Sequence, residues 1–433
     1  MMKTKHPLLT GGALVLAITA SVFAQTTPPP PPAEPGSVAS LFHGQIPEAF
    51  AKGRFNVNVR ARYEFVDQDN LADQSNAGTV RTRFGFTTAP VHGFQGMIEA
   101  ENVTAFDDDS YNAAGSNGQP TRPVVADPET TELNQAWLAY SYTNLATAKV
   151  GRQRIVLDNH RFVGDVGWRQ NQQTFDAASL TLAPAKGFNI FYGYVWDVNR
   201  VFGDVSGLPA ANTDFNSSSH LINVAYAGCD YAKLTGYAYL LDLENAAGFA
   251  SSCATYGLAF TGSAPVSEKL KLDYKAEFAL QSDYADNPQS YDTEYYNLEL
   301  AANVKPFVLG AGYEVLGSDN GVGFKTPLAT LHAFNGWADV FLNTPGNGLR
   351  DWYVFAQVTL PKEMPLRVVY HKFDADTGGA DYGQEVDVVL SRKFGKHWTA
   401  LVKYAHYFGD DPVSGLPANT DVQKFWAQVE FNF

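Results

Sequence analysis

The sequence predicts an all-β chain that closes into a membrane-spanning antiparallel β-barrel of about 18 strands, with short periplasmic turns and long extracellular loops. Three observations predict this fold. Apolar and polar residues alternate through most of the chain after residue 53. The alternating segments are close to the roughly 9–11 residues with which a tilted strand crosses a bilayer, and the connections are alternately long and short. We expect no transmembrane helix, because the mature region has no apolar run of roughly 18 residues.

The N-terminus is typical of a secretory signal peptide. Lys3 and Lys5 precede a short apolar run that ends at Ala20, followed by a small-residue cleavage motif, VFA. An uncleaved anchor helix is the alternative, and it is disfavoured because the run is shorter than the roughly 20 residues that a span needs. The stretch TTPPPPPAEPG that follows is typical of an extended linker. The predicted division is a signal peptide at 1–24, a Pro-rich periplasmic linker and lead-in at 25–53, and the barrel at 54–433.

The first predicted strand shows the alternation most clearly. The sequence RFNVNVRARYEF places Phe, Val, Ala and Tyr on one face and Asn, Arg and Glu on the other. The second face is too polar for a sandwich core, and it fits a strand with lipid outside and water inside. The last strand alternates in the same way and ends at Phe433. The predicted strands are 54–65, 78–88, 93–104, 131–142, 146–156, 172–183, 186–198, 218–229, 231–243, 252–262, 268–281, 293–303, 306–317, 350–360, 364–374, 381–392, 396–408 and 421–433.

The connections support the same count. Short turns such as 143–145 and 393–395 alternate with long loops such as 105–130 and 318–349. An even strand number places both termini on the periplasmic side. The loop at 318–349 is too apolar for a solvated connection, so we expect it to fold inward or to pack over the mouth of the barrel as a short helix or plug.

The charge balance of the chain inverts in one segment. The formal net charge is -14, which argues against nucleic acid as a partner. Between Lys149 and Arg169, however, five basic residues stand against only two acidic ones. Arg152 and Arg154 are two positions apart and would share one face of a strand. We therefore predict that this segment contributes to the lining of a basic, water-filled passage.

Other basic residues are candidates for the same lining. Arg60, Arg62, Arg81 and Arg83 lie on neighbouring predicted strands, where four guanidinium groups would repel one another until an anion relieves the repulsion. The alternative is that the basic residues pair with acids across the strands and only hold the wall together. Lys271 and Lys275 favour this alternative, since acids lie on their own strand. The candidate pore-lining residues are Arg60, Arg62, Arg81, Arg83, Arg152, Arg154, Arg161, Arg169, Lys271, Lys275 and Arg367.

Three other features were weighed for chemistry. The run Asp107–Asp109 lacks the spacing of a calcium loop. Asp158 and His160 lie close in sequence, but no serine nucleophile with its own base accompanies them, so we expect neither an enzyme nor a bound metal or cofactor. Cys229 and Cys253 are predicted to lie at opposite ends of their strands, too far apart for a disulfide.

Two long segments carry a resemblance to a known family. GRQRIVLDNHRFVGDVGWRQNQQTFDA and FKTPLATLHAFNGWADVFLNTPGNGLRDWY resemble the bacterial alginate-export family of outer-membrane barrels, over roughly 54–433. The resemblance implies passive export of an anionic polysaccharide through an arginine-lined pore, with Arg152 and Arg154 as the positions carried over. The exporter in that family uses a long periplasmic loop near its C-terminal strands as a gate, whereas the corresponding turn here, Lys393–Gly395, is short.

These observations predict an outer-membrane channel for anionic saccharides or an alginate-like polysaccharide. A general porin for small solutes is the first alternative, and an outer-membrane enzyme is the second. The expected partners are the anionic saccharide or polysaccharide, the lipid of the outer membrane and periplasmic secretion components.

Overall fold

The computed structural model describes residues 46–205, 213–245, 248–409 and 420–433. The predicted signal peptide and most of the predicted linker lie outside these residues. A short helix, α1 (Ile46–Ala51), leads into the sheet. The strands are β1 (Arg54–Gln68), β2 (Ser75–Thr87), β3 (Phe94–Ala105), β4 (Thr130–Tyr142), β5 (Ala146–Gln153), β6 (Thr174–Leu182), β7 (Phe188–Asn199), β8 (Asp214–Cys229), β9 (Ala232–Leu241), β10 (Cys253–Pro265), β11 (Lys271–Asp283), β12 (Asp292–Val304), β13 (Phe307–Leu316), β14 (Ser318–Asp319), β15 (Val322–Gly323), β16 (Leu349–Leu360), β17 (Met364–Asp374), β18 (Asp381–Phe394), β19 (Trp398–Phe408) and β20 (Val422–Asn432).

Eighteen of these strands form one closed antiparallel sheet. Each strand pairs with its sequence neighbours, and β1 also pairs with β20 in a register that runs from Asn58 opposite Asn432 to Gln68 opposite Val422. Closure satisfies every ladder hydrogen bond without leaving an edge, which is what a sheet in lipid requires. The predicted barrel of about 18 strands is confirmed. The short pair β14–β15 stands apart, within a long outer loop.

The two faces of the wall differ as the alternation predicted. Leu258, Leu309 and Ile98 are 61%, 59% and 58% exposed, and they belong to the outward, lipid-facing set. The inward positions carry charged and polar side chains, such as Arg81 and Glu385, which are buried among one another and beneath loops. Among the described residues, no helix is both long enough and apolar enough to cross a membrane.

Two outer loops fold back into the barrel. The first inserted loop (residues 154–173) and the second inserted loop (residues 324–348) meet at a parallel bridge between Val163 and Leu328. The Gly164 amide donates to the Leu328 carbonyl at 2.8 Å, and the Thr330 amide donates to the His160 carbonyl at 3.0 Å. We call these two loops together the plug. The prediction that 318–349 packs inward is therefore confirmed, although its only helical piece is a single 3-10 turn, Leu331–Ala333.

The two cysteines are free, as predicted. Cys229 pairs with Ala232 at the periplasmic end of β8 and β9, whereas Cys253 pairs with Leu241 at the outer end of β9 and β10. Cys229 is exposed and Cys253 is buried. We expect a maleimide to label one thiol per folded barrel and two after denaturation, counted by mass spectrometry. A mobility change between reduced and non-reduced gels, or labelling of Cys253 in the folded barrel, would contradict this register.

Candidate functional site: the lumen and its plug

The lumen contains a cavity of about 1640 Å³. Its lining begins at the periplasmic turns, with residues such as Pro90, Leu145 and Asp230, and ends at the plug, with Asp158 and Asn335. Among the described residues, none from the outer loops beyond the plug lines it. The cavity is therefore a vestibule that faces the periplasm and ends at the plug.

The vestibule is slightly basic although the whole chain is acidic. Its lining holds eight basic and seven acidic side chains, against 31 basic and 45 acidic residues in the full sequence. The basic members are Lys52, Arg54, Lys149, Arg154, Lys233, Lys271, Lys275 and Arg367. Several lie near the periplasmic ends of strands that run outward, so the positive charge is concentrated around the periplasmic mouth.

The four arginines of β1 and β2 are covered by the plug and do not line the vestibule. The Arg60 guanidinium donates to the carbonyls of three consecutive plug residues, Gly167 to Arg169, at 3.0–3.2 Å. Glu430 pairs with Arg60 at 3.1 Å and with Arg81 at 3.2 Å. The mutual repulsion of the Arg60 and Arg81 guanidinium groups is therefore relieved by a carboxylate of the wall, and Arg60 is also bonded to backbone carbonyls of the plug.

The other two members of this group also have partners. Arg62 donates to Gln428 Oε1 at 2.7 Å and lies 3.7 Å from Asp127. Arg83 pairs with Glu101. With the plug in place, these arginines therefore pair with acids and polar groups of the wall, as the alternative to a pore-lining role predicted.

The arginines of the first inserted loop anchor the plug. Arg161 Nε donates to Glu314 at 2.9 Å. Arg169 reaches Glu64 at 3.2 Å and both Asp127 and Asp339 at 3.6 Å. Burial disfavours a charged guanidinium here, but these three carboxylates together raise the pKa of Arg169 above its ordinary value. Arg161 and Arg169 therefore join the loop to the wall and do not line the vestibule.

Arg152 and Arg154 do not share a face, so this part of the prediction is wrong. β5 ends at Gln153, between the two arginines, so the alternation of the strand does not extend to Arg154. Arg152 pairs with Ala136 in the outward-facing set and bonds Asp176 at 2.8 Å. Arg154 lies beyond the strand, lines the vestibule and bonds Asp165 at 2.9 Å with its side chain half exposed.

The remaining predicted cations all line the vestibule. Lys271 lies 3.3 Å from Asp273, and Lys275 lies 2.8 Å from Glu277, so both pair along their own strand. Arg367 forms no ion pair with a described residue, and its guanidinium lies 4.0 Å from the centre of the Phe355 ring. Lys149 was noted within the basic segment but was missing from the candidate set, although it also lines the cavity.

An aromatic and charged cluster fixes the plug to the wall. The Trp168 ring stacks on His332 with centroids 4.3 Å apart, and the Arg62 guanidinium lies 4.1 Å from the Trp168 ring centre. Lys403 Nζ lies 3.7 Å from the ring centre of Trp337 and 4.3 Å from that of Trp168. We call Arg62, Trp168, His332, Trp337 and Lys403 the latch.

A chain of hydrogen bonds runs through the latch. Lys403 Nζ donates to His332 Nε2 at 2.7 Å, and His332 Nδ1 lies 2.7 Å from Asp339 Oδ1. Since an ammonium group can only donate, Nε2 accepts and the ring proton lies on Nδ1. Asp339 also accepts from Lys424 at 2.7 Å. His332 is therefore held in its neutral form between a cation and an anion.

The second inserted loop has a further anchor on β18. The Ala338 amide donates to Glu385 at 2.7 Å, and the Trp337 amide donates to Asp387 at 3.3 Å. Gly336 has φ 84°, and a Cβ atom there would lie 2.3 Å from Glu385 Oε2. Only glycine fits this close approach of loop to wall.

None of the described residues forms a group of three or more metal-ligating side chains suited to a metal ion.

Sequence reasoning missed the latch because its members come from distant parts of the chain. One sequence feature could have indicated it: tryptophan and histidine residues occur together in loops that would be polar if they were solvated. The partner cations, Arg62 and Lys403, lie on opposite sides of the β1–β20 seam and meet only when the barrel closes.

The comparisons with known proteins agree with this architecture. The family model described as alginate export matches residues 52–293. A search of the curated proteins finds no match. Solved structures with a similar fold include Pseudomonas aeruginosa OpdL (TM-score 0.65, 16% identity, 88% of this chain and 99% of that one). P. aeruginosa OpdK with vanillate has a TM-score of 0.67 at 13% identity, covering 89% and 99%.

Acinetobacter baumannii OccAB2 has a TM-score of 0.69 at 13% identity, again covering 89% of this chain and 99% of that one. At these identities the structural likeness establishes the fold alone. The family match extends over more than half of the 433 residues. The chain therefore belongs to the alginate-export family and is a channel of the bacterial outer membrane.

Proposed function

We propose that the channel passes anionic saccharides or an alginate-like polysaccharide through its water-filled lumen. The observation that carries the proposal is the excess of basic residues in the vestibule of a strongly acidic chain. Permeating ions respond to the lining, and fixed charges in a narrow passage with low-dielectric walls focus the field there. The vestibule faces the periplasm, where secretion components would deliver a polymer.

Each kind of arginine has a separate task in this proposal. Arg154 is half exposed in the vestibule, so its planar guanidinium can hold a carboxylate by two parallel hydrogen bonds. The guanidinium groups of Arg60 and Arg83 bond to carbonyls of the first inserted loop, and they become available to a polyanion when that loop leaves the lumen. The basic path would thus be completed only in the open channel.

A channel for small carboxylates is the second candidate. It is motivated by the plug, which narrows the lumen, and by the similar fold of OpdK, whose structure was solved with the carboxylate vanillate. The two candidates differ in the length of solute that enters. Blockade by uronate oligomers of increasing length separates them, since a polymer channel binds longer oligomers more tightly and a small-solute channel does not.

We expect the wild-type channel to prefer anions, and Arg154→Ala to reduce that preference by roughly twofold, because one of the few exposed cations of the lumen is lost. Arg152→Ala is the matched control, since Arg152 lies on the outward face and should leave selectivity unchanged. Arg154→Lys should keep selectivity but weaken oligouronate blockade, because lysine lacks the planar fork. Reversal potentials in a salt gradient measure this. A wild-type preference for cations would overturn the proposal.

A further inference from the structure

We propose that Lys149 and Arg367 form two matched carboxylate-binding positions on opposite walls of the periplasmic mouth. The inference rests on the proposed function, which it deepens by assigning the residues that first hold an incoming uronate. Counted around the closed sheet, β5 and β17 are eight strands apart in one direction and ten in the other, so the two residues face each other across the lumen.

The two residues lie at the same height. Each is the fourth residue of a strand that runs outward from a periplasmic turn, since β5 begins at Ala146 and β17 begins at Met364. At about 3.3 Å per residue, both lie roughly 10 Å along their strands from the turns. A chain that enters from the periplasm therefore meets both cations before it reaches the plug.

Both cations are supported in the same way. Lys149 is opposite Ala139, and Trp137 lies two residues further along the partner strand. Arg367 is opposite Gln357, and Phe355 lies two residues further along its partner strand. Lys149 Nζ is 4.6 Å from the centre of the Trp137 ring, and the Arg367 guanidinium is 4.0 Å from that of Phe355. The same diagonal cation–π contact thus occurs on both walls.

Neither cation forms a direct ion pair with a described residue, although the charges of Glu299 and Asp387 act on Arg367 from a greater distance. Among the described residues, Lys149 and Arg367 form no ion pair, whereas most lining cations have a carboxylate partner. Arg54 also has none, but it is the exposed first residue of β1 and has no described aromatic ring beneath it. The paired lining cations are Lys52, Arg154, Lys233, Lys271 and Lys275.

The charged groups of both residues face the cavity, and so does the ring of Trp137 beside Lys149. A cation beside an accessible ring fits a uronate, which offers a carboxylate and an apolar ring face. A charge-assisted bond of this kind is stronger than a neutral one.

The test is single-channel blockade of the full-length barrel by defined uronate oligomers added on the periplasmic side. Lys149→Gln and Arg367→Gln should each raise the dissociation constant for blockade by about tenfold, and the double variant by more, because each removes one charge-assisted contact. Lys149→Arg and Arg367→Lys should retain most of the binding. Lys233→Gln is the matched control, since it removes the same charge from a cation that already pairs with Asp158, and its effect should stay within about twofold.

The outcomes separate the two levels of the proposal. If uronate oligomers do not block the wild-type channel, or if neutral oligosaccharides of equal length block it equally well, the proposed function fails. If they block the wild type but bind the Lys149→Gln/Arg367→Gln variant with unchanged affinity, the function stands and the two-wall site is overturned. A Lys233→Gln effect equal to that of Lys149→Gln also overturns it, because binding would then follow total charge. The conservative variants show whether each altered barrel still inserts and conducts.

Discussion

Replacing Trp168 with alanine should convert a channel that is mostly closed into one that is mostly open. Trp168 lies between Arg62 and His332 and supports Lys403, so its loss removes the centre of the latch. Truncating a fully buried tryptophan costs about 3–5 kcal/mol, and Trp168 is partly buried, so we expect a smaller loss. A loss of about 2 kcal/mol from the closed state shifts the closed–open equilibrium by roughly thirtyfold. Planar-bilayer recording should show long openings to a higher conductance than the wild type reaches.

A matched change elsewhere in the barrel controls for general destabilisation. Trp352→Ala removes the same side chain from the outward face, where Trp352 is 53% exposed, and should leave conductance unchanged. Lys403→Met should act in the same direction as Trp168→Ala, because it removes both the hydrogen bond to His332 and the cation–π contacts. A Trp168→Ala barrel that folds and still conducts like the wild type would show that the plug does not close the channel.

Acidification should open the wild-type channel. Burial lowers the pKa of His332 well below its ordinary value of 6.5. The negative charge of Asp339 opposes this shift, and the positive charge of Lys403 adds to it. In the released loop the ring is solvated and its pKa returns to about 6.5. Between these two values the released state binds more protons, so the closed state loses stability as the pH falls below about 6.5. We expect the open probability to rise roughly tenfold from pH 7.5 to 5.5.

Variants identify the proton acceptor. His332→Gln keeps a donor toward Asp339 and an acceptor toward Lys403 but cannot titrate. It should therefore remove most of the pH dependence of the open probability. His160, on the first inserted loop, also has its pKa lowered by burial, and the His160→Gln/His332→Gln variant should remove the remainder. His406→Gln, remote from the plug, should keep the wild-type profile. An open probability that falls on acidification would contradict the assignment, as would a wild-type profile in the double variant.

The wall of the barrel was predictable because a single physical requirement acts on every strand. Lipid outside and water inside impose a period of two, so alternation marks both the strands and their faces. The inward packing of the second inserted loop was predictable for a similar reason, since residues such as Trp337 and Phe341 cannot remain in water. Both inferences need only local sequence.

Pairing among the charges was not predictable, because it joins residues remote in sequence. Arg60 and Glu430 lie at opposite ends of the chain and meet at the seam where the barrel closes. The end of a strand was also not predictable: β5 stops at Gln153, so Arg152 belongs to the strand and Arg154 belongs to the first inserted loop. The sequence therefore identified the basic segment, but only the structure distinguishes cations that anchor the plug from cations that face the vestibule.

If the plug leaves the lumen during transport, its attachment at both ends limits how long the channel stays open. The first inserted loop is covalently fixed at Gln153 and Thr174, and the second follows Gly323 and ends at Leu349. A displaced loop therefore remains beside its own binding site, at an effective concentration of about millimolar for a short tether. Resealing is unimolecular and does not depend on the abundance of any other molecule. In the proposed gating, the channel itself would therefore restore the permeability barrier of the cell after a solute has passed.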